Sequence, residues 1–297
     1  MSQSKITSPI NVKSTTKECT NTCFYSFNYG NSSCTISNEG DHLKFSYDAT
    51  DSTVIYNDTN YTVQDIRLYK PSLNEYYGSH VDAELIIQHV GNGSNNLVVC
   101  IPIKTSSNTS SSETLFNNLI PYAPVNGNPP VSVNINNYNL NYIVPRGAYY
   151  SYTGTLPYDS LNGTYNIIVF DYNKVKANMS PNNMNMLGTL ITNATTSSTY
   201  ELNNDYNINT LYYNAAGTTD DSLITGDDIY IDCKPTGSSD SEPANIIADD
   251  KTSSSIGVDI KELFDNPYFD VIMGIVGLLI LVGGGKYIYG KYIAKKH

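Results

Sequence analysis

The chain has 297 residues, enough for one domain of roughly 230–250 residues with an appendage. Charged residues are only 15 %, Tyr is frequent at 26, Trp is absent, and the net charge is −11. Residues 1–233 hold 10 Lys+Arg against 20 Asp+Glu, so this body lacks the positive field that nucleic acid needs, and no nucleic-acid partner is expected.

Few helix formers, many β-branched and aromatic residues and numerous Asn-rich turns predict a mainly β fold with short helices. The opening, MSQSKITSPINV, is polar and has no apolar stretch of the kind a secretion signal requires. Leu43, Phe45 and Tyr47 alternate. Alternation continues through 53–70, and LVVCIPI (97–103) is an unbroken apolar run, as in a strand buried on both faces. The Ser/Asn/Pro-rich stretch 104–141 around LFNNLIPY predicts a short helix and loops, IIVFDY (167–172) a strand, and DDIYIDC (227–233) a last strand.

The composition then shifts. Residues 1–233 form the predicted domain, and 234–254 (KPTGSSDSEPANIIADDKTSS) have linker composition. Ile256, Ile260, Leu263 and Phe264 recur at helical spacing, which predicts a juxtamembrane amphipathic helix over 255–267. Residues 271–285 carry no charge; at 1.5 Å per residue they reach only about 22 Å of a hydrocarbon core of roughly 30 Å. Flanking Tyr and Phe residues extend the stretch to a single transmembrane helix over 268–289, with Lys286 snorkelling and a basic tail over 290–297. The terminal lysines alone would place the tail in the cytosol. A span so close to the end inserts late, however, so a tail-anchored protein with a cytosolic domain is expected.

Five cysteines (Cys19, Cys23, Cys34, Cys100, Cys233) contain no C-x-x-C pair. Reduced thiols are the expectation, with a bridge from Cys19 or Cys23 to Cys34 as the alternative. His80, Asp82 and Glu84 alternate; they could form a small cation site, but a solvated edge strand is the simpler reading. With only four His (His42, His80, His89, His297), a three-His site elsewhere is not expected. Eight N-x-S/T sequons, the number that such a composition produces by chance, become glycan sites only in a lumen. No phosphate-binding loop or nucleophile elbow is present. Tyr supplies stiff contact area, so Tyr76, Tyr77, Tyr149 and Tyr150 are the candidate binding surface.

Three blocks occur in a telling order: SPINV (8–12), DIRLYKPSLNEYYGSHVDAELIIQHV (65–90) and YIVPRGAYYSYTGTLPYDSLNGTYNIIVFD (142–171). Together they resemble the α-carbonic anhydrases, well over 8–175 and poorly over 176–233. The resemblance implies a central twisted, mostly antiparallel sheet, with residues 21–48 as a long hairpin of strand, turn and strand. It puts Arg67, Tyr69 and Ile86 at the zinc-ligand positions. Glu84 falls where a Glu orients the third ligand, His89 at a structural His, and Asp41 and His42 at and beside the proton shuttle. Pro157 and Tyr158 stand where the gating hydroxyl belongs. A catalytic zinc needs three protein ligands. A guanidinium has no lone pair to give, a neutral phenol is a poor ligand and Ile has no donor atom, so no cofactor is expected and the chain is read as a non-enzyme.

The pattern is also similar to the carbonic-anhydrase-like envelope proteins of poxviruses, which share the SPIN opening, the eroded zinc strands and a C-terminal anchor. That likeness implies a catalytically inactive virion membrane protein, held in the bilayer by 268–289, carried on host internal membranes during assembly and attaching to a host glycan or surface protein. The family's ligand is a sulfated glycan, chondroitin sulfate, for which an acidic domain is poorly suited. The alternative is a structural protein bridging an internal membrane and a capsid protein.

Overall fold

Alternating Val, Ile, Leu and Tyr build long strands through the middle of the chain. The computed structural model describes residues 5–20, 22–93, 96–159, 163–174, 177–192 and 201–218, within one compact unit, Met1–Tyr230. The first strands are β1 (Asn11–Val12), β2 (Tyr25–Asn28), β3 (Ser32–Asn38), β4 (His42–Phe45), β5 (Thr53–Tyr56) and β6 (Thr59–Tyr69). After them come β7 (Glu75–Tyr76), β8 (Ser79–His80), β9 (Ala83–Gly91), β10 (Asn96–Thr105) and β11 (Val131–Tyr138). The last are β12 (Tyr149–Gly154), β13 (Tyr165–Phe170), β14 (Asn178–Met179) and β15 (Tyr212–Asn214).

A 12-stranded sheet runs in the order β11-β3-β4-β6-β9-β10-β13-β12-β15, with β14 joined to β10, and β5 joined to both β2 and β6. Its pairings are antiparallel except those of β10 with β13 and with β14. A small sheet, β1-β7-β8, fastens the N-terminal segment to the loop before β9.

The centre of the sheet is buried on both sides, and strand periodicity sorts its side chains into two cores. Leu97, Val99, Ile101 and Ile103 of β10 join one core with Leu85, Ile87, Ile168 and Phe170. Val98 and Cys100 join the other with Ile86, Ile167 and Val169. The first core is covered by α1 (Ser111–Leu119) and α2 (Pro181–Leu190). Ser110 caps α1 by accepting from Glu113 N–H, and Leu115, Phe116 and Leu119 form its buried face. Ser180 caps α2, Pro181 opens it, and Met184 and Leu187 turn inward.

Three expectations need correction. Residues 21–48 are not one hairpin: β2 pairs with β5, and the hairpin joins β3 to β4. The stretch 104–141 holds α1 but also β11, where Val131, Val133 and Ile135 alternate. Cys19 and Cys23 form a disulfide with each other, while Cys34 and Cys100 are free and buried. The strand expected at 227–233, the linker, the juxtamembrane helix, the membrane span and the basic tail lie outside the described residues. Among the described residues no helix is long and apolar enough to cross a membrane.

Candidate functional site

Antiparallel pairing of β6 with β9 sets Arg67 directly opposite Ile86 and Tyr69 opposite Glu84. The i, i+2 spacing of Arg67 and Tyr69 puts both on the face that carries Ile86. The register therefore gathers the three positions that the sequence pattern assigns to metal ligands. The donor set there does not fit zinc: Ile86 is wholly buried in apolar contact, and Arg67 is engaged by an acid. Its Nε donates to Asp65 at 2.6 Å, and Asp65 also pairs with Lys44 at 3.2 Å. Among the described residues, no three His, Cys, Asp or Glu side chains come together as a metal would require.

Tyr158 occupies the space above these positions. Its ring lies 3.8 Å from the Arg67 guanidinium carbon and stacks near Tyr69, with centroids 6.4 Å apart at 24°. Its hydroxyl donates to Gln88 Oε1 at 2.6 Å, so one side chain ties β6 to β9. The local sequence holds it there. Leu156-Pro157-Tyr158-Asp159 is a turn closed by Asp159 N–H donating to Leu156 O at 3.2 Å, with Pro157 at the position where its fixed φ favours a turn. Pro157 is buried and provides neither hydroxyl nor N–H.

Glu84, opposite Tyr69, holds a neighbouring loop. It is wholly buried and accepts from Leu73 N–H (2.9 Å), Asn74 N–H (3.1 Å), Asn74 Nδ2 (2.9 Å) and Tyr76 Oη (2.7 Å). Burial pushes its carboxyl up, and these donors pull against that shift. Asn74 Oδ1 in turn accepts from Ile10 N–H at 3.0 Å, so the carboxylate anchors both the 72–76 loop and the SPIN segment. The sequence offered no signal for Asn74 or Gln88, which act through partners distant in the chain, Ile10 and Tyr158.

Of the other predicted residues, His42 with Asp41 stays beside Tyr69, and the rest separate. His42 stacks at 5.0 Å on Tyr69, with Nδ1 2.6 Å from Asp41, and burial lowers its pKa against the pull of Asp41. His89 is buried beside Tyr29 Oη at 2.9 Å, its pKa pushed down to about 3 by burial. His80, Asp82 and Glu84 do not converge. His80 Nδ1 bonds Ser72 O, Asp82 accepts from Thr105 N–H, and Glu84 is held as described. The tyrosine surface also needs correction. Tyr76, Tyr149 and Tyr150 are at most 4 % exposed and belong to the cores, and only Tyr77, at 43 %, faces solvent. Tyr77 sits at φ +56 with Gly78 at φ +86, the two-residue hairpin tip of a primed turn.

No family model matches the chain, and no curated protein matches it by sequence. Solved structures do match, several α-carbonic anhydrases among them. The Photobacterium profundum α-carbonic anhydrase is 15 % identical, covering 71 % of this chain and 90 % of its own, with TM-score 0.58. The Thermovibrio ammonificans α-carbonic anhydrase, solved with the inhibitor sulfanilamide, is 16 % identical over 70 % of this chain and 86 % of its own, with TM-score 0.57. Dioscorin complexed with ascorbate is 17 % identical over 71 % and 86 %, with TM-score 0.54. The mainly β fold of this chain is thus the carbonic anhydrase fold.

Proposed function

We propose that this chain is a catalytically inactive, membrane-anchored carbonic-anhydrase-like protein of a virus particle, displaying its domain for attachment to a host cell surface. One observation carries the loss of catalysis. The three positions that the resemblance assigns to zinc ligands are Arg67, Tyr69 and Ile86, with the Tyr158 ring over Arg67 and near Tyr69, so a three-ligand zinc set is missing there. The attachment role rests on the likeness to poxvirus envelope proteins and on the apolar span at 268–289, whose centre, 271–285, carries no charge. The acidic balance of the domain favours a neutral glycan or a protein over a sulfated polymer as the ligand.

Two measurements on the full chain in detergent test this. Metal analysis and CO₂ hydration should give no stoichiometric zinc and no turnover above buffer; zinc with turnover would overturn the inactive reading. Labelled chain should bind intact cells, with glycosidase or protease pretreatment of the cells identifying the class of ligand. Absence of binding to any cell type, together with cross-links to capsid protein in particles, would replace attachment by a structural role.

A further inference from the structure

No charged residue stands between Glu113 and Arg146, the longest such stretch in a chain of net charge −11. It holds four of the most exposed large apolar side chains among the described residues: Tyr122, Val125, Val131 and Tyr142. It also contains β11, which begins the sheet order and pairs with β3 alone among the described residues.

The opposite edge of the sheet is closed. Tyr213 N–H in β15 donates to Lys17 O at 2.8 Å, Cys19 N–H donates to Tyr213 O at 3.1 Å, and the Lys17 ammonium lies 4.2 Å over the Tyr212 ring. Edge strands are ordinarily blunted by such coverage, by lysines or by brevity. β11 is eight residues long and carries no charge; its ladder with β3 is regular over Val131–Val133 and shifts register before Tyr138.

We propose that β11 is a self-association edge, on which a second copy of this chain adds its own β11 antiparallel across a two-fold axis. Symmetry and charge select that occupant. An antiparallel edge strand is complementary to itself under a two-fold rotation, so one open edge suffices for a closed dimer. Two acidic chains repel wherever their charges meet, and they approach each other most easily along this neutral stretch. A basic partner would be drawn to the acidic surfaces elsewhere and would gain nothing here.

Light scattering after size exclusion of the full chain in detergent tests the proposal. Wild type should carry two copies per particle. The double variant Val131→Lys/Asn134→Lys, at exposed positions of the strand, should carry one copy with unchanged circular dichroism. A control, Asn60→Lys/Asn92→Lys, adds the same charge away from the edge and should remain at two. Hydrogen exchange supplies a readout that needs no variant: amides of 131–138 should slow as wild-type concentration rises. A single copy in wild type, a folded edge variant that stays paired, or exchange at 131–138 indifferent to concentration would each overturn the proposal.

Discussion

Glu84 and His89 lie on the same strand and respond to burial in opposite ways. Glu84 meets four donors and no other acid. Glu84→Gln would turn an amide N–H toward one or more of them, leaving buried donors facing each other. A loss of about 1–3 kcal/mol follows, read as a lower denaturant midpoint; an unchanged midpoint would show that the loop does not depend on the carboxylate. His89 is held neutral, its pKa pushed down to about 3 by burial. Between that value and the ordinary one near 6.5, the unfolded chain binds a proton that the folded chain refuses. Stability is therefore complete above roughly pH 6.5 and falls as the pH drops through this window, by about 1.4 kcal/mol per pH unit for a full proton. His42, lowered by burial as well, steepens the fall. His89→Gln should flatten the acid limb of midpoint against pH over pH 4–6.5. An equally steep limb in the variant would place the proton uptake elsewhere.

At the scale of elements, the N-terminal segment depends on β12 leaving it room. Ile6 N–H donates to Thr153 O, and Thr155 N–H donates back to Ile6 O, both at 3.0 Å. A Cβ on Gly154 would stand 2.8 Å from Ile6 O and 2.6 Å from the Tyr152 ring. Backbone on one side and a buried ring on the other leave it no way to relax. Gly154→Ala should thus cost about 1–3 kcal/mol and speed hydrogen exchange at Ile6 and Thr155; exchange at wild-type rates there would mean that the segment is held by other contacts. How far such elements are legible in sequence depends on which signal dominates. The apolar run at 97–103 specifies β10 directly, whereas Arg67, Tyr69 and Ile86 are grouped by the family resemblance and brought together by the register of β6 with β9. In β11, Val131, Val133 and Ile135 alternate, but the intervening Ser and Asn residues carry turn chemistry and mask the period. The Cys19–Cys23 bridge and the Asn74 link are fixed by how the chain folds back, which no local pattern encodes. Tyr defeats sequence reasoning for another reason: its apolar ring and polar tip suit a core and a surface equally, so Tyr76, Tyr149 and Tyr150 give no outward sign that they are buried.

Across the whole molecule, tyrosine takes the place of the bulky residues that the chain lacks. Tyr25, Tyr29, Tyr138 and Tyr149 lie in one core, and Tyr69, Tyr76, Tyr150 and Tyr152 in the other. Their hydroxyls find partners inside the fold: Tyr25 with Tyr29, Tyr152 with Ser8 and Tyr77 with Tyr150. Burial drives the phenol pKa upward at Tyr25, Tyr29, Tyr76, Tyr138, Tyr149, Tyr150 and Tyr152. The consequence is alkaline lability. A phenol whose folded pKa exceeds its unfolded value near 10 stays protonated in the fold while the unfolded chain releases its proton. Stability is then complete below pH 10 and declines above it, by about 1.4 kcal/mol per pH unit for each such group. Seven groups acting together exceed the usual stability of roughly 5–15 kcal/mol within one or two pH units. Tyrosinate absorbance should accordingly rise in two stages, the later one coinciding with loss of the β-sheet circular dichroism signal. A single smooth titration with the sheet intact would show that these phenols reach solvent, and the description of a tyrosine-filled interior would fail with it.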